Sequence, residues 1–308
     1  DTDRSRGLGD VYKRQLMWDP DLIFDTSKNY FTEHVGERVL APTWGGYKDM
    51  KKIPLSLSYL QEAKRAGMKI TPLLHNDFDL QETKKLLHDS GAVQNLARQI
   101  TATALVYDFD GWNLDFENMD EADKFLYTKF IKTVSEKLHM HGKEISVDIT
   151  VNSNSPNWSL CYDRKGMAAY VDYEVIMGYD QTPGGSRYSG PVSSYSWLKH
   201  HIAMLLKQVP NNKLVLGLPF YTRIWTGKEG QAASSVLMMK QIKSLLGQNN
   251  IGLFWNPEDR QYVGIWEENG QTRKVWFEER RSLQEKVSLA HDYKLAGLAF
   301  WRYGFETE

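Results

Sequence analysis

The chain has 308 residues and a formal net charge of -1, from 38 Lys+Arg against 39 Asp+Glu, which argues against a nucleic-acid binder with its usual basic excess. Hydrophobic residues make up 41% of the chain, enough for a large core, and no apolar run approaches the ~20 residues of a membrane span. The single cysteine, Cys161, excludes an internal disulfide and a cysteine-based zinc site. Aromatic residues reach 12%, an excess that fits either sugar stacking or an ordinary core.

The segment 1–15 is polar and has no usable hydrophobic period. Its second part, Asp10–Gln15, is what the transposon-end adapter of sequencing libraries encodes when it is read in frame. We therefore predict that 1–15 is adapter-derived and is not part of the fold.

Short apolar runs alternate with amphipathic helical patterns along the rest of the chain. Apolar spacing predicts helices at Ser56–Ala66, Asp120–His141 and Ser194–Gln208. The alternation favours an α/β fold of the (β/α)8 TIM barrel type over a doubly wound sheet, because no glycine-rich phosphate fingerprint follows an early strand. The predicted strands are Leu16–Trp18, Arg38–Thr43, Lys69–Leu74, Gly111–Phe116, Glu144–Thr150, Tyr173–Gly178, Lys213–Phe220 and Ala296–Trp301.

The stretch 222–281 interrupts this alternation. Two alternating runs, Tyr262–Glu267 and Thr272–Phe277, flank an Asn-Gly pair, which is a strong β-hairpin signal. We predict that 222–281 is a small β-containing insertion between the seventh and eighth strands. The chain ends at Phe305–Glu308, directly after the last strand, where a closed barrel normally has a helix. We therefore expect the barrel at 16–308 to be truncated at both ends.

The most informative segment is Asp110–Asn118, which reads DGWNLDFEN. Strand alternation places Asn113, Asp115 and Glu117 on one face and apolar side chains on the other. In a barrel the polar face points into the lumen, and Glu117 lies last, at the C-terminal end where barrel active sites are found. Crowded acids in a lumen raise a carboxyl pKa toward the value that a general acid needs. The apolar flanks argue against a solvated edge strand, and the order of acids argues against a calcium loop.

This segment resembles the signature of family 18 glycoside hydrolases, Asp-Gly-x-Asp-x-Asp-x-Glu on a barrel strand. It departs from the signature at Asn113, where chitinases usually have a third aspartate. The matching positions are Asp110, Gly111, Asp115 and Glu117.

Three later segments agree with the same family in chain order. Met177–Asp180 is similar to its sixth-strand Met-x-Tyr-Asp, Pro219–Arg223 to its seventh-strand Tyr-x-Arg, and Phe300–Trp301 to the eighth-strand tryptophan under the catalytic sugar. Within the family the chain is most similar to the bacterial spore-cortex and cell-wall N-acetylglucosaminidase branch. Trp18–Asp19, Pro42–Trp44 and the asparagine in the signature carry that similarity.

The resemblance implies substrate-assisted catalysis, in which the acetamido oxygen of the substrate is the nucleophile. Glu117 would protonate the leaving glycosidic oxygen, Asp115 would accept a hydrogen bond from the acetamido N–H, and Tyr179 would donate to the acetamido oxygen. Trp301 would lie beneath the sugar. No cofactor and no metal are implied.

The remaining candidates have supporting or binding roles. Asp110 and Asn113 are predicted to support the site, and Asn113 to orient Asp115 by a hydrogen bond, so that Asn113→Asp should shift the acid limb of the pH–rate profile. For Arg223 a salt bridge that ties down the insertion remains open, and for Trp44 a structural place in the barrel rim. The predicted substrate contacts are Trp301, Asp180, Gln181, Tyr221, Arg223 and Trp44.

The favoured function is a retaining glycosidase that cleaves β-linked N-acetylglucosamine in the peptidoglycan of cell wall or spore cortex. The alternatives are hydrolysis of chitin or chito-oligosaccharides, hydrolysis of protein-linked N-glycans, and a non-catalytic sugar-binding barrel, which commonly loses the last acid of the signature. We expect a monomer with a polysaccharide substrate, no nucleic-acid partner and no membrane span. From the family we expect a secreted, envelope-associated or spore-associated protein.

Overall fold

Eight parallel strand positions close into a barrel, as predicted. The structure, a computed structural model, describes residues 14–26, 36–248 and 251–306. The barrel strands are β1 Arg14–Asp19, β2 Glu37–Gly46, β3 Lys69–Ile70, β4 Leu73–His75, β5 Gly111–Asp115, β6 Glu144–Thr150, β7 Tyr173–Met177, β8 Leu214–Pro219 and β14 Gly297–Trp301. They pair in the order β1-β14-β8-β7-β6-β5-β4-β2, and β1 pairs with β2 to close the barrel; the short β3 shares its position with β4.

Helices pack around this barrel, and several begin at the capping residues that their sequences provide. Ser56 caps the first helix by accepting a hydrogen bond from the Tyr59 N–H at 3.1 Å, and Asp79 caps the second through the Glu82 N–H at 3.0 Å. The helices are α1 Leu57–Arg65, α2 Leu80–His88, α3 Ser90–Val106, α4 Lys124–His139, α5 Arg164–Met167, α6 Tyr195–Leu205, α7 Met239–Gln248 and α8 Arg280–Asp292. The three predicted helices correspond to α1, α4 and α6.

The apolar and polar side chains of β5 point to opposite faces of the strand, as the alternation predicts. Trp112 and Leu114, with Phe116 just beyond the strand, are fully buried in the layer between strands and helices. A second apolar cluster lies inside the barrel; it includes Trp18 and Val175, and Tyr179 and Trp301 pack against it. The polar side of β5 therefore points into the lumen.

The predicted insertion is an antiparallel sheet of five strands in the order β10-β9-β13-β12-β11. Asn269 and Gly270, at the predicted hairpin turn, have φ values of 52° and 70°, the left-handed conformation that a two-residue type I′ turn requires. The strands are β9 Tyr221–Thr226, β10 Ala233–Met238, β11 Gly252–Asn256, β12 Gln261–Glu268 and β13 Gln271–Phe277, with α7 between β10 and β11.

The barrel begins earlier than predicted, because Arg14 and Gln15 belong to β1. Arg14 is buried, and its guanidinium donates to Glu37 at 2.9 Å and to Glu144. The fold thus includes the last two residues of the segment predicted to lie outside it, while 1–13 fall outside the described residues. Within the described ranges, no helix is long and apolar enough to span a membrane.

Candidate active site

Asn113 is the centre of a hydrogen-bond network in the lumen. Its Oδ1 accepts from the Trp18 indole at 2.9 Å, and its Nδ2 donates to Asp148 Oδ1 at 2.8 Å and to Ser146 Oγ at 3.1 Å. These bonds occupy the amide, so the predicted hydrogen bond from Asn113 to Asp115 is wrong. Asn113 instead ties β5 to β1 and to β6.

Asp115 and Glu117 lie at the C-terminal end of β5, where the register partner of Asp115 on β4 is His75, whose ring nitrogen lies 3.1 Å from Asp77. Asp115 Oδ1 is buried without a hydrogen-bond partner, and burial raises the pKa of Asp115 to about 7. Burial, together with the charges of Asp115, Asp148 and Asp180, raises the pKa of Glu117 to about 9. In the described part of the chain, no lysine, arginine or histidine counteracts either rise. Glu117 therefore keeps its proton at neutral pH, as a general acid must.

A third buried carboxyl, Asp148 on β6, was missed by sequence reasoning. Its side chain is 1% exposed, and its pKa is raised well above the usual value by burial and by the charge of Asp115, against hydrogen bonds from Asn113 and Trp18. The signal was present in the sequence, since alternation along Glu144–Thr150 sends Ser146 and Asp148 to the same face as Asn113.

Asn76 holds the backbone that carries Glu117. Its Oδ1 accepts from the Glu117 N–H at 3.0 Å, and its Nδ2 donates to the Glu117 carbonyl at 2.6 Å and to Thr83 Oγ1 at 2.9 Å. Because Asn76 is 1% exposed, it fixes the position of the acid rather than lining the cleft. This pairing of a loop after β4 with the end of β5 is not visible in the sequence.

Tyrosines from two elements meet beside these acids. The rings of Tyr179 and Tyr221 are 6.2 Å apart in an edge-to-face arrangement. Tyr221 donates its hydroxyl to Asp180 Oδ1 at 2.8 Å, and Arg223 Nη2 lies 3.9 Å from the same oxygen. Burial raises the pKa of Tyr179 well above its usual value, with nearby acids adding to the rise, so its hydroxyl remains a donor. Arg223 thus forms the predicted salt bridge, while a sugar contact stays a prediction.

The other predicted residues lie at different distances from the acids. Trp301 ends β14, partly exposed, with its ring 5.8 Å from that of Trp18. Gln181 accepts a hydrogen bond from the Ser194 N–H at 2.8 Å, which fixes the loop after β7. Asp110 precedes β5 at the opposite end of the barrel, where it accepts from the Ile70 N–H at 2.8 Å. Asp110 therefore supports the strand rather than the cleft.

The prediction that Trp44 contacts substrate is wrong. Strand β2 continues to Gly46, beyond its predicted end, so alternation turns Trp44 toward the helix layer. Its ring is 5% exposed and packs edge-to-face against Phe109 and Trp112, with centroids 5.9 and 5.6 Å away.

Two exposed aromatic side chains flank the acids at the rim, and sequence reasoning did not find them. Phe78 and Trp158 are 54% and 42% exposed, and their ring centroids are 6.0 Å apart. Asn118, next to Glu117, donates to the Phe78 carbonyl at 2.8 Å. This Phe78–Trp158 pair, whose ring planes are tilted by 37°, offers an exposed apolar surface beside the cleft.

The model of the family Glycosyl hydrolases family 18 matches residues 56–306, so the chain belongs to this family and is a glycoside hydrolase. It is 26% identical over 259 residues to the uncharacterized glycosylase YvbX of Bacillus subtilis (strain 168), covering 81% of this chain and 75% of the relative. It is 26% identical over 246 residues to the cortical fragment-lytic enzyme of the same organism, covering 77% of this chain but only 56% of that one.

Among solved structures, the chitinase from Chromobacterium violaceum ATCC 12472 superposes with a TM-score of 0.84. The alignment covers 96% of both chains at 19% identity, and at that identity it shows the fold alone. The chain thus shares the overall fold of that chitinase.

Proposed function

We propose that this protein is a retaining glycosidase that cleaves β-linked N-acetylglucosamine, with peptidoglycan as its polymer. The observation that carries the proposal is the pair of half-buried acids, Asp115 and Glu117, at the C-terminal end of the barrel, whose raised pKa values no lysine, arginine or histidine of the described residues opposes. Keeping carboxyls out of water without a counter-charge costs stability, which is typical of a site that uses their perturbed pKa values.

Each residue has a defined step in this reaction. Glu117 donates its proton to the leaving glycosidic oxygen while the acetamido oxygen attacks the anomeric carbon and breaks the glycosidic bond. Asp115 accepts a hydrogen bond from the acetamido N–H and stabilises the cationic ring that forms, and Tyr179 donates to the acetamido oxygen. Glu117 then takes a proton from water, which attacks the same carbon, so the configuration is retained. Trp301 lies under the sugar.

The choice of polymer rests on similarity rather than on the shape of the cleft. The relative in Bacillus subtilis is named a cortical fragment-lytic enzyme, and this chain is similar to 56% of it. We therefore propose action on cell wall or spore cortex by a secreted, envelope-associated or spore-associated monomer. Chitin and chito-oligosaccharides are the alternative substrates, because the mechanism requires only a 2-acetamido group at the cleavage point.

Product analysis tests the proposal. Purified peptidoglycan and purified chitin are each incubated with the protein, the new reducing ends are reduced with borohydride, and the fragments are identified by mass spectrometry. We expect N-acetylglucosamine ends from peptidoglycan. Glu117→Gln is the inactive variant, and Glu62→Gln, on the exposed side of α1, is the matched control.

Each other outcome is informative. Cleavage of chitin alone would favour the alternative substrate. Muramic acid at the new reducing ends would contradict cleavage after N-acetylglucosamine. Binding of both polymers without cleavage would indicate a sugar-binding barrel. Activity that survives Glu117→Gln would overturn the mechanism.

A further inference from the structure

Asp115 and Asp148 lie side by side on neighbouring strands. The pairing of β5 with β6 aligns Asn113 with Ser146 and Leu114 with Val147, so the next step of the register brings Asp115 beside Asp148. Asn113 and Ser146 face the lumen, where they are hydrogen-bonded to each other. Asp115 and Asp148 each lie two residues further along the same strands, so they face the lumen as well. Asp148 is almost completely buried, and Asp115 Oδ1 is buried with no hydrogen-bond partner.

The surroundings of Asp148 contain acids and phenols but no base. Asp115 and Glu117 face it from β5 and the loop after it, Tyr179 from the loop after β7, and Tyr127 from α4 behind the barrel wall. Among the described residues, no lysine, arginine or histidine acts on it. Two adjacent carboxyls in such a place cannot both be ionised at low cost, so they hold at least one proton between them.

The hydrogen bonds around Asp148 indicate where this proton lies. Asn113 Nδ2 donates to Asp148 Oδ1 at 2.8 Å and the Trp18 indole also acts on this carboxyl, yet burial and the charge of Asp115 outweigh both and raise its pKa. Since Oδ1 accepts from Asn113, the proton is placed on Oδ2. Asp115 Oδ1 is a buried acceptor that lacks a donor. In its protonated form Asp148, the next register position beside Asp115, can supply that donor.

We propose that Asp148 is a positioning residue that shares one proton with Asp115 across β5 and β6 and so sets the pH at which Asp115 becomes an anion. The inference rests on the proposed glycosidase function. Asp148 holds the proton and donates to Asp115 Oδ1, which leaves the other oxygen of Asp115 to accept from the acetamido N–H. The proton stays between the two carboxyls throughout the turnover, so Asp115 faces the developing cation as an anion.

The test is the pH dependence of kcat/KM for Asp148→Asn, which keeps the shape of the side chain but cannot hold the shared proton. An amide N–H is a weaker donor to Asp115 than a carboxyl O–H, so Asp115 ionises at a higher pH in the variant. We expect the acid limb to rise by about one pH unit, which is about a tenfold loss of kcat/KM below the limb. Ser146→Ala removes another hydrogen bond to Asn113 without a change in titrating groups, and we expect it to leave the limb in place.

A double variant reverses the arrangement. Asn113→Asp combined with Asp148→Asn moves the second carboxyl from β6 to β5 while one amide and one acid remain at the same hydrogen bond. Because the side chain at position 113 makes no hydrogen bond to Asp115, we expect the acid limb to stay at the position that it has in Asp148→Asn. A limb that stays at the wild-type pH in Asp148→Asn, with only kcat reduced, would mean a structural role and would overturn the proposal, as would a double variant whose limb returns to that of the wild type.

A second measurement needs no substrate. Carboxyl ¹³C NMR of aspartate-labelled protein follows the titration of Asp115 directly, assigned with Asp115→Asn. Asp115 titrates in steps that are coupled to Asp148 and to Glu117, so we expect the coupling to Asp148 to vanish and the Asp115 titration to be displaced by about one pH unit in Asp148→Asn. An Asp115 titration that is identical in both would overturn proton sharing while the glycosidase function stands. Coupled steps in a protein that cleaves neither polymer would overturn the function and leave the sharing intact.

Discussion

Among the carboxyls that the described residues withdraw from water, two groups are treated in opposite ways: Glu278, and the pair Asp115 and Glu117. Glu278, after β13, is fully buried against the equally buried Lys286 of α8, and it also accepts from Ser282 Oγ at 2.6 Å and from Gln261 Nε2 at 3.2 Å. Asp115 and Glu117 at the mouth of the barrel have no such cation among the described residues.

The presence or absence of a compensating cation distinguishes an acid with a structural role from a candidate catalytic acid. Burial raises the pKa of Glu278 and lowers that of Lys286, but each charge opposes the shift of the other, so the pair remains a local ion pair. At the barrel mouth the neighbouring acids add to the effect of burial instead. An acid whose perturbation is reinforced rather than opposed, and which lies in a cleft, is the stronger candidate for catalysis.

Removing the cation at the paired site should be costly. We expect Lys286→Met to lower the free energy of unfolding by about 3–5 kcal/mol, because Glu278 is left buried and unpaired. Chemical denaturation measures the loss. The double variant Lys286→Met/Glu278→Gln should recover part of it, and a single variant as stable as the wild type would mean that the pair is not buried as described.

Removing the acid Glu117 at the unpaired site should raise the free energy of unfolding rather than lower it. The pKa of Glu117 is raised from 4.5 to about 9, so the stability gained from its bound proton is full below pH 4.5 and is lost as the pH rises toward 9. Glutamine does not titrate, so Glu117→Gln should be more stable than the wild type by on the order of 1–3 kcal/mol at pH 9, with a smaller difference at pH 5. Thermal unfolding at pH 5, 7 and 9 checks this. A difference that is constant with pH, or a less stable variant at pH 9, would contradict the assigned burial.

Substrate contacts should lie beside the unpaired acids, Asp115 and Glu117. We expect Trp158→Ala to raise KM for the polymer by about 3- to 10-fold, because a stacked aromatic ring contributes ~0.5–1.5 kcal/mol. Phe125→Ala is the matched control, since Phe125 is a 66% exposed aromatic residue on α4. Equal KM values for both variants would remove the Phe78–Trp158 pair from the substrate path.

Much of the fold could be predicted because buried parallel strands are continuously apolar and helices carry their own caps. The strand at Glu144–Thr150 has its predicted bounds, and Ser56 marks the start of α1. The ends of the strands were harder to predict than their positions. Pro72 lies where the third predicted strand divides into β3 and β4, and the longer β2 changes the environment of Trp44.

The site was less predictable, since its acids come from strands that meet only in the closed barrel. The order of residues in Asp110–Asn118 indicates Asp115 and Glu117, because they share one strand face. Asp148 shares a face with them only once β5 and β6 are paired, and Asn76 reaches Glu117 only once the loop after β4 folds. Helical spacing predicts that Phe125 lies on the apolar face of α4, yet its side chain is exposed. Spacing alone does not determine how far around the helix the buried face extends.

The central claim, that the unpaired acids perform the chemistry, is tested most directly by Glu117→Gln in one preparation at pH 7. Hydrolysis of an N-acetylglucosamine oligosaccharide and the denaturation midpoint are measured on the same sample. We expect hydrolysis to fall by about 10²–10⁴-fold while the midpoint stays equal to or above that of the wild type. A variant that retains hydrolysis, or one that loses hydrolysis and stability together, would contradict the claim.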